Sequence, residues 1–282
     1  DAERDGKDLY CFLDKIDNVG LMMHWQDILQ DNTCEAYFEL IERRAKGEPI
    51  QYIIGSQEFM GITFKVTPDV LIPRQDTETM VEDAIEVIKK GTLRGESFAG
   101  QGNVKDVLDL CCGSGAIGVS VAKLCPGTKV VCSDVSREAV KVAEENAKAC
   151  GCKSVKFETG DLFEPFCGRM GRKKFDMIIS NPPYIQTDVI PGLQTEVKDF
   201  EPIKALDGGK DGLDFYRRII EAAPAHMHKH GVLMMEIGYD QGGAVTEMLS
   251  ETGKFTDIVC LKDLAAKDRI VAARVKSKKD CK

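Results

Sequence analysis

At 282 residues, with 43% hydrophobic content and a formal net charge of −8, the chain has material for one large domain, or one large and one small. Its 46 acidic residues against 38 basic ones disfavour a broad surface that grips a phosphate backbone. The sequence has no apolar run of about 18 residues, and its first residues, DAERDGKDLY, are charged where a secretory signal is apolar. The expected location is therefore the cytoplasm, although the chain opens on Asp1 rather than Met, which leaves room for an upstream targeting segment.

Eleven cysteines invite a disulfide or zinc reading, but they are scattered and form no CxxC pair. Cys111–Cys112 and Cys150-Gly-Cys152 stand close in sequence, and neither spacing repeats to give four tetrahedral ligands. Buried thiols in a reducing compartment, with no bound metal, are expected.

From Leu9 to Lys46 apolar residues recur at helical spacings, as at Tyr37, Leu40 and Ile41 with Ala36 and Phe38 broadening the face, which predicts a small helical unit. The next stretch, EPIQYIIGSQEFMGITFKVTPDVLIPR, carries β-branched and aromatic runs on either side of Met60-Gly61 and predicts a hairpin. Asp76 to Lys89 predicts a helix with acids in its first turn and Lys89-Lys90 in its last, as the helix dipole favours. Gly91 to Asn103, GTLRGESFAGQGN, reads as a surface loop or insertion.

Beyond that loop, strands are expected at Val104–Asp109, Val130–Asp134, Val155–Thr159, Asp176–Asn181, Val232–Ile237, Phe255–Leu261 and Ile270–Val275. Helices such as Ser136–Cys150 and Phe215–His228 fall between several of them. Such alternation predicts an α/β fold with a doubly wound, mainly parallel sheet of seven strands. Ligands of such sheets bind outside the carboxyl ends of the strands, where the strand order reverses.

At the first strand end stands VLDLCCGSGAIGVSVA: Asp109, then Cys111-Cys112-Gly113-Ser114-Gly115, then a helix opening at Ala116. A strand–turn–helix of this kind lets backbone come close to a ligand. Asp134 closes the next strand, 134 − 113 = 21 positions after Gly113, where nucleotide-binding folds place a carboxylate for ribose hydroxyls. Asp109, ahead of the glycines, would repel a pyrophosphate and suits an ammonium. A ribose, an α-amino group and no phosphate describe S-adenosylmethionine better than NAD. Asp161 follows the third strand and is placed to accept from an adenine amino group, with Leu162 packing on the ring. Any one of these acids could be an ordinary helix cap.

The fourth strand ends in Asn181-Pro182-Pro183-Tyr184. Prolines stop the strand by removing N–H donors and fixing φ, which leaves an Asn amide and two carbonyls on a stiff turn. In the reading adopted here, Asn181 Oδ1 and the Pro182 carbonyl each accept one N–H of a planar NH2 group, holding the nitrogen for in-line methyl transfer, and Tyr184 packs on that group. The alternative is a Pro-rich strand exit with a capped Asn.

Two further constellations read more plainly. His226, His228 and His230 in AHMHKHG are expected in the last turn of a helix, where cations suit the dipole, rather than around a metal. LDGGKDGLD lacks the Lys-Ser/Thr of a phosphate loop and reads as a loop beside the site, with Asp211 or Asp214 at a helix start.

Nearly the whole chain resembles the glutamine-N5 methyltransferases that modify peptide chain release factors. Beside NPPY, the likeness runs through FKVTPDVLIPRQDTE, DLCCGSGAIGVS, EPIKALDGGKDGLDFYRRII, GVLMMEIGYDQGGAV and DLAAKDRIVAARV. NPPY alone is shared with methyltransferases of DNA adenine and ribosomal RNA guanine. The resemblance implies S-adenosylmethionine as cofactor and the Gln of a Gly-Gly-Gln loop in a release factor as substrate; the lack of a long apolar run argues for no membrane, and the acidic balance without a DNA-reading module for no direct nucleic-acid target. It also implies that residues 1–73 form a helical substrate-docking domain with a hairpin linker, and residues 74–282 the methyltransferase domain. The chain departs from the family's usual pattern at Cys111 and Cys112 (Gly and Thr), Gln75 (Pro) and Ala266 (Gly). A nucleic-acid N-methyltransferase and a non-catalytic cofactor-binding subunit are the alternatives.

Overall fold

A computed structural model describes residues 2–28, 30–94, 96–98, 104–168 and 171–277. The N-terminal unit comprises α1 (Ala2–Asp14), α2 (Asn18–Met23), α3 (Asp31–Ala45) and α4 (Ile50–Ile54). Leu9 is fully buried within it, and Tyr10 meets Tyr37 edge-on at 5.9 Å. The apolar run at Ile50–Ile54, expected to be extended, is instead a short helix. Gly55 ends it in the left-handed region (φ 80°), and the chain turns into the hairpin only after that cap.

The hairpin pairs β1 (Ser56–Phe59) with β2 (Ile62–Lys65) across Met60-Gly61, both at positive φ, the geometry that two-residue hairpin turns favour. Helix α5 follows at Gln75–Lys90. Gln75 is its first residue, a position at which Pro is favoured, so the departure there removes preorganisation and little else. Thr92–Leu93 (β3) and Glu96–Ser97 (β4) then pair, so the segment expected to be a surface loop holds a small hairpin with Leu93 and Phe98 buried. The rest of that segment, residues 95 and 99–103, and the tail from 278 lie outside the described residues.

The main sheet contains β5 (Asp106–Leu110), β6 (Lys129–Asp134), β7 (Val155–Thr159), β10 (Phe175–Ser180), β11 (Met227–Glu236), β12 (Phe255–Lys262) and β13 (Asp268–Val275). The two-residue strands β8 (Cys167–Gly168) and β9 (Gly171–Arg172) pair apart from it. Its order is β12-β13-β11-β10-β5-β6-β7, parallel except for β13, which runs antiparallel to both neighbours. Both faces are covered, so the central strands are apolar on both sides. Val107, Val130, Met177 and Met234 face α5, α6 (Ala116–Leu124) and α7 (Arg137–Ala149), while Leu108, Val131, Ile178 and Met235 face α10 (Asp214–Ala222) and α11 (Gly242–Glu251). Two short helices, α8 (Thr195–Lys198) and α9 (Ile203–Leu206), lie in the long connection after β10.

The histidine segment differs from expectation. Helix α10 stops at Ala222, a 3₁₀ turn spans Ala223–Ala225, and the Phe175 N–H donates to the His226 carbonyl at 2.9 Å as β11 begins. Pro224 in that turn ends a run whose apolar spacing otherwise continues the helix. His226 is buried with its ring stacked on Phe163 at 4.7 Å, and His228 and His230 lie on β11. No group of three or more His, Cys, Asp or Glu among the described residues is arranged to hold a metal ion.

Candidate active site

The strand order reverses between β5 and β10. Their carboxyl ends lie side by side, with Ser180 paired to Leu110 and the Ser180 hydroxyl donating to the Leu110 carbonyl at 2.9 Å. A cavity of about 690 Å³ opens there, large enough for a nucleoside-sized ligand and part of a second one. Its walls include Cys111, Cys112, Gly113 and Ser114 after β5, Asp134 after β6, Asp161 and Leu162 after β7, and Asn181 and Pro183 after β10. Four strand ends thus meet at one cavity. Gly115, Asp109, Pro182 and Tyr184 are not among its lining residues.

Asp134 holds the glycine turn. Its Oδ2 accepts from the Gly113 N–H and its Oδ1 from the Ser136 N–H, both at 2.9 Å. Burial pushes its carboxyl above the usual range, and the bonds from Ser136 and Gly113 pull the other way. Because the Gly113 N–H is spent on a carboxylate, the turn is poorly made for a phosphate. Helix α7 is capped by Ser136, not Asp134, through the Ala139 N–H at 3.2 Å.

Asp109 is fully buried beneath the turn. Its Oδ2 accepts from the Gly118 N–H at 2.8 Å, at the start of α6, while Oδ1 has no hydrogen-bond partner among the described residues. Burial pushes its carboxyl up to about 7. Gly118 permits this approach: a Cβ there would come within 2.9 Å of Asp109 Oδ2 and 2.5 Å of Cys132 Sγ. The carboxylate expected to face an ammonium therefore lies under the turn and meets the cavity only through it.

Cys111 has φ 59°, the conformation that disfavours a side chain, and burial raises its thiol pKa so that it stays protonated. Leu162, too, has a positive φ (48°) and is buried against the lining. Asp161 Oδ2 is already paired with Arg218 Nη2 at 2.6 Å, and Arg218 lies over the Phe215 ring. Ala266, in the turn between β12 and β13, has φ 60°, which explains the family's glycine at that position.

At the acceptor end, Asn181 Nδ2 donates to Thr77 Oγ1 at 3.4 Å, and the Thr77 hydroxyl donates to Glu236 Oε2 at 2.6 Å. Burial pushes the Glu236 carboxyl up to about 7, against the pull of Thr77, Arg269 and Asn181. Gln241 Nε2 donates to the Tyr184 carbonyl at 3.0 Å and to Gly212 at 3.2 Å, so the NPPY turn is tied to the loop before α10. Burial raises the pKa of the Tyr184 hydroxyl, which keeps its proton.

Two walls of the cavity come from segments distant in sequence. Arg74, entering α5, pairs with the buried Glu201 through both carboxylate oxygens at 2.6 and 2.7 Å, tying that segment to α9. Asn146 on α7 accepts from the Lys65 N–H at 2.7 Å and donates to the Ser114 carbonyl at 2.9 Å, joining the hairpin to the glycine turn. Sequence reasoning missed Thr77, Glu236, Arg74, Glu201 and Asn146. The one local signal was Glu236 itself, an acid closing the apolar run GVLMM.

A mainly parallel seven-stranded sheet with a nucleoside-sized cavity at its switch point, a glycine turn held by an acid, and NPPY at the facing strand end defines a methyltransferase. The family described as Methyltransferase small domain matches residues 96–194, and that described as PrmC N-terminal domain matches residues 1–55. A release factor glutamine methyltransferase of Geobacter sulfurreducens is 45% identical over 260 residues, 92% of this chain and 85% of its own. One of Clostridium acetobutylicum is 42% identical over 270 residues, covering 95% and 90%. Among solved structures, a methyltransferase from Pyrococcus furiosus superposes with a TM-score of 0.53 at 16% identity, over 84% of this chain and 99% of that one. The hMettl16 catalytic domain in complex with a MAT2A 3′UTR hairpin gives 0.58 at 11%, over 88% and 81%. These two likenesses show the fold alone. The chain belongs to the release factor glutamine methyltransferase family.

Proposed function

We infer that the protein transfers a methyl group from S-adenosylmethionine to the side-chain amide nitrogen (N5) of the glutamine in the Gly-Gly-Gln loop of a release factor. The observation that carries this reading is the meeting of Asn181 with the Asp134-held glycine turn across one cavity. The cofactor supplies an electrophilic methyl on a sulfonium. The residues present fit it: Asp134 and Asp161 line the cavity and suit a cationic nucleoside, and the Gly113 N–H is given to Asp134 and not left for a pyrophosphate.

Asp134 keeps lone pairs for ribose hydroxyls beyond the two backbone bonds it accepts, and Leu162 supplies an apolar wall for the base. Beyond its pairing with Arg218, Asp161 keeps one oxygen that would accept from the adenine amino group. Asn181 Oδ1 and the Pro182 carbonyl orient the substrate NH2, so the lone-pair face of the nitrogen is offered to the methyl. Positive charge growing on that nitrogen strengthens both bonds. The nitrogen's proton becomes acidic once the new bond forms and passes to solvent, so orientation matters more than a strong base.

Residues 1–73 act as the substrate-docking unit and 74–282 as the catalytic domain; the match of residues 1–55 to a family N-terminal domain supports a separate N-terminal unit. The partner is a protein, consistent with the net charge of −8, and the reaction takes place where release factors work, in the cytoplasm. No helix among the described residues is long and apolar enough to cross a membrane. Incubating the protein with labelled cofactor and either a release factor or RNA tests the reading. Mass spectrometry should find one methyl on the Gln of Gly-Gly-Gln, and label in RNA alone refutes it.

A further inference from the structure

We propose that Thr77 and Glu236 are positioning residues that lock the Asn181 amide with its oxygen toward the acceptor. The inference rests on the proposed role of Asn181 and goes one layer behind it. An Asn amide is nearly symmetric in shape, and only its hydrogen-bond partners decide which end faces the substrate. Only the oxygen end can receive an N–H from the acceptor NH2.

Three elements converge to make that choice. Thr77 lies in the first turn of α5, Asn181 just past β10, and Glu236 at the end of β11. Thr77 is 4% exposed and Glu236 2%. The single hydroxyl proton of Thr77 is given to Glu236 Oε2 at 2.6 Å, so its oxygen is left with lone pairs alone and receives Asn181 Nδ2 at 3.4 Å. A flipped amide would set Oδ1 against the Thr77 oxygen, whose one proton already goes to Glu236, so the amide would lose the bond that Nδ2 now makes there. Glu236 is held in turn: the Tyr216 hydroxyl donates to its carbonyl at 2.9 Å, and the Tyr216 oxygen also lies 3.3 Å from Gln241 Oε1. Gln241 grips the Tyr184 carbonyl, so both sides of the NPPY turn are anchored to β11 and the residues just past it. The order of command is carboxylate, hydroxyl, amide, substrate.

The experiment measures kcat for release-factor methylation, cofactor Kd by calorimetry and melting temperature, on the whole chain. Thr77→Val keeps the shape and deletes the hydroxyl. It should lower kcat about 10- to 100-fold while cofactor Kd stays within about threefold, since misplaced orientation costs rate more than ground-state binding. Thr77→Ser, which retains the hydroxyl, should recover most of the rate, and Glu236→Gln should fall with Thr77→Val. In the double variant Thr77→Val/Asn181→Ala, the Thr77 effect should vanish, because a residue acting through Asn181 has nothing left to orient. Should Thr77→Val not fold, Thr77→Ala and Thr77→Ser carry the same comparison. Wild-type kcat in Thr77→Val, no difference between Ser and Val, or multiplicative losses in the double variant would each overturn the inference alone. Wild-type turnover in Asn181→Ala would overturn it together with the reading of NPPY.

Discussion

Asp134 offers a test in which two roles of one carboxylate are separated. The side chain already accepts two backbone N–H groups at 2.9 Å, from Gly113 and Ser136, so its removal loosens the turn whether or not it also touches the cofactor. A plain Asp134→Ala affinity loss is therefore ambiguous. The ribose contribution is isolated by varying the ligand as well. A hydroxyl bonded to an ionised carboxylate contributes about 1.5–3 kcal/mol, which is roughly 10- to 150-fold in Kd. Wild-type protein should bind S-adenosylhomocysteine tighter than its 2′- or 3′-deoxy analogue by a factor in that range. Asp134→Ala should bind all of them more weakly and lose most of the discrimination. Isothermal titration calorimetry measures the four corners of that cycle, and the coupling between side chain and hydroxyl is their non-additivity. If wild type binds every deoxy analogue as tightly as the parent, Asp134 holds the turn and nothing more, however badly Asp134→Ala binds.

Other consequences can be checked alongside. Cys111→Gly relieves a side chain at φ 59° and should leave cofactor affinity unchanged or tighter; a tenfold loss or more by calorimetry would show that the thiol makes a favourable contact. Ala266→Gly does the same at φ 60° and should raise stability by about 1 kcal/mol in urea titration, and a loss would show that the Ala methyl packs. Asp109, with its carboxyl pushed up to about 7, holds in the folded state a proton that the unfolded chain has released, so it withdraws stability as pH rises from about 4 to about 7. Asp109→Asn should therefore flatten the fall in stability across that window relative to wild type, leaving the contribution of the same sign from Glu236; identical slopes by denaturant titration would refute the burial account. Asn181→Ala should lower kcat by about 10²–10³-fold with cofactor binding largely kept, and Asn181→Asp should be poor but no worse than Ala.

The strand ends that form the cavity were legible because each is a local event: apolar residues stop, and an acid, a glycine pair or a proline pair follows. Thus β7 has the expected bounds, and β6 and β10 lie within one residue of them at either end. Where a local pattern had two outcomes, tertiary pairing chose. Ile50–Ile54 is apolar enough for a strand, yet Gly55 caps it as a helical turn, and the expected helix to His228 ends in the 3₁₀ turn at Pro224, after which Met227 pairs with Phe175 in the sheet. Asp109 shows the same limit within the site. Its place before the glycines was readable, but its direction, toward the Gly118 N–H and away from the cavity, depends on a glycine nine positions later.

The residues that escaped sequence reading share a physical reason. Thr77 meets Glu236 across 159 positions, Arg74 meets Glu201 across 127, and Asn146 meets Lys65 across 81. Each pair is unremarkable alone: a Thr in a helix's first turn, an acid after an apolar strand, an Arg beside a Pro. Their chemistry comes from burial, which only the fold confers. A Glu on the surface would take its hydrogen bonds from water and could not dictate which way a neighbouring hydroxyl gives its proton. Closed behind α5 and β10, with 2% exposure, Glu236 has few donors to choose from, and Thr77 is one of them. NPPY in sequence thus identifies the atom that meets the substrate. The sheet order, by bringing β11 beside β10 and α5 over both, supplies the partners that decide which end of that amide is presented.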